Sequence, residues 1–208
     1  MLSYKKFCYG MGFSNSFVIW DDESREAVII DCGNRAEEIS RFVHAEGLFV
    51  KWVALTHAHY DHVLYMEEYR EAFPSAKLAI GARDAALLSE VEGNVSYLFG
   101  DSRVFDAVDV KLSEGDTLSL GGSELRVIST PGHTPGCICL YSEEDKLMVT
   151  GDTLFGGGGI GRTDFKYGDF SEIRKSLKRL LSMDGEITIL PGHGGESKIK
   201  YEQRSLFY

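Results

Sequence analysis

The sequence has no long uninterrupted run of apolar residues and no run of five or six basic ones. No apolar stretch reaches the about 18 residues that a membrane-spanning helix needs, and the first residues, MLSYKKFCYG, lack the apolar core of a secretion signal. The 208 residues carry a formal net charge of −10. Because nucleic-acid phosphates are bound by clustered Lys and Arg, this composition argues against a nucleic-acid partner, and we expect a cytoplasmic protein that does not bind membranes.

Cysteine and proline are also scarce. The four cysteines, Cys8, Cys32, Cys137 and Cys139, form no C-x-x-C pair, so we expect free and mostly buried thiols in a reducing compartment. The chain has four prolines and no Pro-rich or Ser-rich linker. Its length and an apolar fraction of 43% suit one large core. We therefore expect residues 1–208 to form a single domain.

Short apolar runs alternate with helical patterns along the chain. Phe17–Trp20 and Ala27–Ile30 flank the polar turn 21–24 and predict a β-hairpin. Further short apolar runs predict strands at Val50–Leu55, Lys77–Ile80, Asp109–Leu112, Thr117–Leu120, Leu125–Ile128, Ile138–Tyr141, Leu147–Thr150 and Ile187–Leu190. Helical periodicity predicts helices at Ala36–Glu46, Asp61–Ala72, Arg83–Val91 and Phe170–Leu181. This mixture indicates a mixed α+β fold in which two packed sheets are covered by helices.

Four of the predicted strands run into a side chain that can bind a metal ion. These side chains are His57, His133, Asp152 and His193, and Gly or Pro forms the turn before the last three. Five of the six histidines lie at such strand ends. Strands of one core deliver side chains to a common edge, and imidazole and carboxylate together suit transition metals. The sequence therefore predicts a metal site at this edge.

The predicted ligands occur in four short motifs, which are Thr56-His57-Ala58-His59-Tyr60-Asp61-His62, then Pro131-Gly132-His133, Gly151-Asp152 and Pro191-Gly192-His193. In order and spacing these motifs resemble the metallo-β-lactamase superfamily. The resemblance covers nearly the whole chain and implies a four-layer αβ/βα sandwich with the site at one edge of the two sheets. It also implies that His57, His59 and His133 hold one metal ion, that Asp61, His62 and His193 hold a second, and that Asp152 bridges both.

Two further segments narrow the resemblance. They are Gly151-Asp152-Thr153-Leu154-Phe155 followed by Gly161-Arg162-Thr163-Asp164-Phe165, and Pro191-Gly192-His193-Gly194 with Glu202 close behind. Both resemble the glyoxalase II (hydroxyacylglutathione hydrolase) branch, particularly its short bacterial members. The resemblance implies hydrolysis of a small-molecule thioester by a hydroxide that bridges two divalent ions, zinc or else iron or manganese. Asp152 would be the bridging ligand, and Asp61 would also orient the water. We do not expect the C-terminal helical extension with which full-length glyoxalase II binds glutathione.

Two features that follow Asp152 have more than one interpretation. Arg162 either contacts an anionic group of the substrate, as a basic residue does near this point in glyoxalase II, or forms an ion pair with Asp164. The run Gly156–Gly159 is similar to a phosphate cradle, but it lacks the Lys-Ser/Thr that follows in a P-loop. A flexible loop beside the site is therefore the preferred interpretation of this run.

Two other functions are compatible with the same residues. His57, His133 and Asp152 match the two-His-one-carboxylate triad that binds a single Fe(II). This is the arrangement of the persulfide dioxygenases, which resemble the chain in fold and in the Gly-Arg-Thr-Asp-Phe element. The other alternative is a non-catalytic metal-binding module. The complete ligand set argues against it, because catalytic zinc sites keep a coordination position for water.

Overall fold

The computed structural model describes residues 1–205, which form two six-stranded sheets. The first sheet contains, in spatial and chain order, β1 (Leu2–Phe7), β2 (Ser16–Asp21), β3 (Glu26–Ile30), β4 (Phe49–Leu55), β5 (Lys77–Gly81) and β6 (Val110–Leu112). The second sheet contains β7 (Thr117–Leu120), β8 (Ser123–Ser129), β9 (Ile138–Ser142), β10 (Leu147–Gly151), β11 (Thr188–Pro191) and β12 (Ser197–Lys198), each beside the next.

Both sheets mix antiparallel and parallel pairs. In the first sheet β1, β2 and β3 are antiparallel neighbours, and β3 to β6 are parallel. In the second sheet β7 to β10 are antiparallel neighbours, β10 and β11 are parallel, and β12 is antiparallel to β11. The strands β8, β10 and β11 consequently run in the same direction and end at the same edge of their sheet.

Helices cover the outer face of each sheet. They are α1 (Ala36–Ala45), α2 (Tyr60–Val63) and α3 (Met66–Ala72) on the first sheet, and α4 (Phe170–Leu181) and α5 (Ile199–Ser205) on the second. Side chains alternate along the strands, as the period of two requires. In β2, Phe17 and Ile19 lie in the core between the sheets, whereas Val18 packs under the helices. The predicted four-layer αβ/βα sandwich is therefore confirmed.

The helix predicted over Asp61–Ala72 is divided into α2 and α3. The chain leaves the helical conformation at Tyr65, whose N–H donates to Cys32 O (3.0 Å). Cys32 follows β3 and is distant from Tyr65 in sequence, so no local pattern indicates this hydrogen bond. The prediction was correct about the helical residues on either side but wrong about continuity.

The helix predicted over Arg83–Val91 was wrong, because this segment contains turns and a 3₁₀ helix over Leu87–Ser89. The carboxylate of the buried Asp84 accepts hydrogen bonds from Ala58 N (3.0 Å) and Gly136 N (2.6 Å), two segments that are remote in sequence. These contacts hold the turn in place of an α-helix. Strand β1 was not predicted, since its Lys-rich pattern is typical of an exposed edge strand.

Two smaller observations complete the description. All four cysteines are free, and Cys32, Cys137 and Cys139 are buried. In the part of the chain that the structure describes, the helices are too short and too polar to cross a bilayer.

Asp21 joins the two sheets at the edge opposite the strand ends that carry the predicted ligands. Its Oδ1 accepts from Ser24 N (2.8 Å), and its Oδ2 accepts from Ser123 Oγ of β8 (2.9 Å). The side chain is buried. The hydrogen bonds from Ser24 and Ser123 hold the pKa of Asp21 below its usual range.

We expect Asp21→Asn to lower the free energy of unfolding by about 2 kcal/mol at neutral pH, because buried donors lose a charged acceptor. The pKa of Asp21 is lower in the folded than in the unfolded chain. Its contribution is therefore present above about pH 4 and is lost as the pH falls below that value. The free energy of unfolding is measured by urea unfolding followed by circular dichroism. We expect the difference in this free energy between wild type and Asp21→Asn to become smaller as the pH is lowered. Asp22→Asn, at the neighbouring exposed residue, is the control. A difference in free energy of unfolding that does not change with pH would contradict the lowered pKa of Asp21 in the folded chain.

Candidate metal centre

The seven predicted ligands come together at one edge of the sandwich. β4 of the first sheet leads to His57, and β8, β10 and β11 of the second lead to His133, Asp152 and His193. The other three lie in the loop and the short helix α2 that follow β4. Ligand atoms from these residues form two groups of three, and a third group, His57, His62 and Asp152, overlaps both. Within each group the atoms lie within 4.8 Å of one another.

His57, His59 and His133 form the first group. His59 Nδ1 lies 2.8 Å from His133 Nε2, and all three rings are buried. Burial lowers the pKa of each ring below its ordinary value. The neutral imidazole, which is the form that binds metal ions, is therefore favoured at all three positions.

Asp61, His62 and His193 form the second group. His193 Nε2 lies 3.2 Å from His62 Nε2 and 3.3 Å from Asp61 Oδ2. Burial lowers the pKa of His62 and of His193, but the carboxylates of Asp61 and Asp152 outweigh it and raise both. This group therefore has an excess of negative charge, which a proton or a cation neutralises. His193 has a side chain that is 30% exposed, so the second group is the one that faces solvent.

Asp152 lies between the two groups. Its Oδ1 is 3.4 Å from His62 Nε2, and its Oδ2 is 3.6 Å from His133 Nε2 and 3.5 Å from His193 Nε2. Burial raises the pKa of Asp152, but the three histidines outweigh it and hold the pKa below its usual range. This position between the groups is compatible with the bridging role that the family resemblance implies for Asp152.

Two buried acceptor atoms in the cluster, which have no hydrogen-bond partner among the described residues, indicate that a metal ion fits the site. Thr56 Oγ1 donates to Asp31 Oδ2 (2.8 Å), so it accepts from His57 Nδ1 at 3.1 Å. The proton is then on Nδ1, and His57 Nε2 is a buried lone pair without a donor among the described residues. Asp152 Oδ1 is also without one. Nitrogen and carboxylate oxygen atoms left in this state suit a divalent cation such as zinc, iron or manganese.

Two of the other imidazoles, those of His133 and His62, are also oriented by contacts of their second nitrogen. His133 Nδ1 lies 2.7 Å from the carbonyl oxygen of Arg162, which only accepts, so Nδ1 donates and Nε2 is left for the cluster. His62 Nδ1 donates to Asp31 Oδ2 at 2.8 Å, which leaves its Nε2 beside Asp152. Such contacts fix the ring orientation of metal-binding histidines.

Asp31 is a residue of the candidate site that the sequence analysis missed. It follows β3 in the left-handed conformation (φ 59°), and its carboxylate accepts from Thr56 N, Thr56 Oγ1 and His62 Nδ1. The sequence interpretation placed it at the end of a hairpin. A signal was present, because Asp31 also stands directly after a buried strand, as Asp152 does.

The glycines of the two Pro-Gly-His turns are required by close packing. A Cβ on Gly192 would lie 2.1 Å from Asp152 Oδ1, and one on Gly132 (φ 139°) would lie 2.2 Å from the backbone nitrogen of Ile173 in α4. Any side chain at these positions would displace the ligand loops. The turns therefore let the backbone pass close to Asp152 and to α4.

Arg162 forms the ion pair that was one of its two interpretations. Its Nε and Nη2 donate to both carboxylate oxygens of Asp164 (2.7 and 2.6 Å), and its guanidinium lies over the ring of Phe165 at 4.1 Å. The Phe165 ring in turn contacts His59, with 5.5 Å between ring centroids. Arg162 thus lies beside the first ligand group, and its contact with a substrate anion stays a prediction.

The sequence is similar to proteins of one superfamily. A family model described as the metallo-beta-lactamase superfamily matches residues 9–193. The hydroxyacylglutathione hydrolase GloC of Haemophilus influenzae is 35% identical over 199 residues, which cover 92% of this chain and 90% of the relative.

Solved structures agree with the sequence comparison. The BLEG-1 B3 metallo-beta-lactamase matches with a TM-score of 0.90 at 28% identity, over 99% of this chain and 100% of that one. TTHA1623 in a di-iron-bound form matches with 0.82 at 30% identity, over 97% and 98%. ETHE1 from Myxococcus xanthus matches with 0.78 at 25% identity, over 99% and 83%. The chain belongs to the metallo-beta-lactamase superfamily.

Proposed function

We propose that the protein is a hydrolase that holds two divalent ions and cleaves thioesters of the hydroxyacylglutathione type. The observation that carries the proposal is the position of Asp152, whose oxygen atoms face both ligand groups. The similarity to GloC, which is named a hydroxyacylglutathione hydrolase, supports the thioester substrate. We also propose that residues 1–208 form a single domain, of which residues 206–208 lie outside the described part. The enzyme is proposed to be cytoplasmic, without nucleic-acid or membrane partners.

The chain contributes position and charge to this reaction. Two bound divalent ions would lower the pKa of a shared water toward neutrality and polarise the thioester carbonyl. Asp61, on the more exposed side of the cluster, orients the attacking water by accepting a hydrogen bond at its carboxylate. Because a thiolate is a stable leaving group near neutral pH, no residue has to protonate it. The site therefore needs neither a serine or cysteine nucleophile nor a strong general acid.

Loss of the bridging carboxylate tests the metal centre directly. We expect the wild-type protein, purified without a histidine tag, to contain about two divalent ions per chain by elemental analysis. His57→Ala and Asp152→Ala should lose bound metal and reduce thioester hydrolysis by more than about a hundredfold, because each removes a ligand. His44→Ala is the matched control, since His44 is the one histidine outside the cluster and is exposed on α1. Full turnover in a metal-free Asp152→Ala protein would refute the proposal.

A second candidate function is a persulfide dioxygenase with one Fe(II) on His57, His133 and Asp152. The similarity to ETHE1 from Myxococcus xanthus favours it. The two candidates differ in whether the second group takes part. In the hydrolase, His193→Ala should leave about one ion per chain and lower thioester hydrolysis by about a hundredfold. About one iron per wild-type chain, with oxygen uptake on persulfides that survives His193→Ala, would favour the dioxygenase instead.

The ion pair between Arg162 and Asp164 allows a paired test of substrate binding. If Arg162 contacts an anionic group of the substrate, Arg162→Ala should raise KM several-fold with little change in kcat. Asp164→Ala frees the guanidinium and should leave KM unchanged or lower it. Equal KM values for the two variants and the wild type would limit Arg162 to a structural role, which thermal unfolding of both variants would detect.

A further inference from the structure

The carboxylate of Glu202 lies in the interior although α5 is short and lies on the outer face of the second sheet. Glu202 is 1% exposed. Its Oε2 accepts from Gly158 N (2.6 Å), and its Oε1 accepts from Gly157 N (3.2 Å) and from the hydroxyl of Ser197. Among residues 1–205, no basic side chain forms an ion pair with it. Its partners are therefore two successive backbone N–H groups and one hydroxyl.

The two backbone partners belong to the run Gly156–Gly159, which in sequence is similar to a phosphate cradle. Gly157 (φ 77°) and Gly158 (φ 79°) are both in the left-handed region, which residues with a side chain rarely adopt. Their N–H groups point to the same carboxylate, as in the backbone nests that bind anions. The chain has thus built an anion cradle, and its own Glu202 occupies it.

The cradle is connected to the metal centre on both sides. Gly159 O accepts from Phe155 N (2.8 Å), and Asp152 O accepts from Gly161 N (2.9 Å), so residues 152–161 form one folded loop. The Phe155 ring contacts the ring of His193, with 5.8 Å between centroids. Ser197, the third partner of Glu202, stands four residues after His193 in the sequence. Glu202 therefore touches the segment that carries Asp152 and the segment that carries His193.

We propose that Glu202 is a positioning residue that sets Asp152 relative to His193 by acting as the bound anion of the glycine loop. The proposal rests on the metal centre of the proposed function and is independent of the substrate. Removing the carboxylate empties the cradle and leaves two N–H groups without an acceptor, so the loop and its ligand lose their fixed position. A small carboxylate from solution has the chemistry to take its place.

The test is zinc binding by Glu202→Ala, measured by calorimetric titration with and without formate. We expect zinc affinity to fall by about tenfold, since residues that support a ligand contribute on this scale, and we expect formate to restore most of it. Glu202→Gln keeps one acceptor oxygen and turns an amide N–H toward the cradle, so it should bind zinc less tightly than wild type. Glu196→Ala is the matched control, because Glu196 is exposed on the same segment and accepts from Tyr4 Oη.

Two results would overturn the proposal. One is wild-type zinc affinity in Glu202→Ala, whether or not its thermal stability falls, and the other is a loss of zinc affinity that formate does not reduce. If Glu202→Ala does not fold, Glu202→Gln decides, and wild-type affinity in that variant is the contrary result. If the wild-type protein binds only iron or manganese, that ion replaces zinc in the titration. If it binds none of zinc, iron and manganese, the proposed function fails instead. Amide exchange at Gly157 and Gly158 then tests the cradle alone, because the proposal requires formate to restore protection in Glu202→Ala.

Discussion

Buried acceptor atoms that no donor reaches are the constraint on which this structure depends. His57 Nε2 and Asp152 Oδ1 lie inside the protein without a hydrogen-bond partner among the described residues. Each such atom destabilises a fold by about 1–3 kcal/mol. A chain that folds with two of them in one cluster, beside five further ligand side chains, is arranged for a cation. Bound metal removes this cost, so metal affinity and folding are coupled.

The surrounding structure holds this arrangement by binding the second nitrogen of three of the rings, those of His57, His62 and His133. Thr56 accepts from His57, Asp31 accepts from His62, and the carbonyl of Arg162 accepts from His133. Each of these acceptors binds the ring nitrogen that is turned away from the other ligand atoms. They determine which nitrogen is free, and the tight glycine turns determine how closely the ligand loops approach.

The sequence predicted the parts of the molecule whose signal is local. A buried strand, a tight turn and a ligand lie within a few residues of each other, and the structure places all seven predicted ligands together. Asp31 was missed because its role depends on Thr56, which follows the neighbouring strand β4. The helix predicted over Arg83–Val91 was wrong because Asp84 binds Ala58 and a glycine in the other half of the chain. Contacts between distant segments carry no local pattern.

The division of the ligands between the two sheets has a thermodynamic consequence. Residues up to 112 form the first sheet and residues from 117 form the second, so each sheet is a contiguous half of the chain. The first half supplies two ligands to each group, and the second half supplies the third ligand of each group and the bridge. Neither half of the chain contains all the ligands of either group. By linkage, the free energy by which association of the two halves strengthens metal binding equals the free energy by which bound metal strengthens their association.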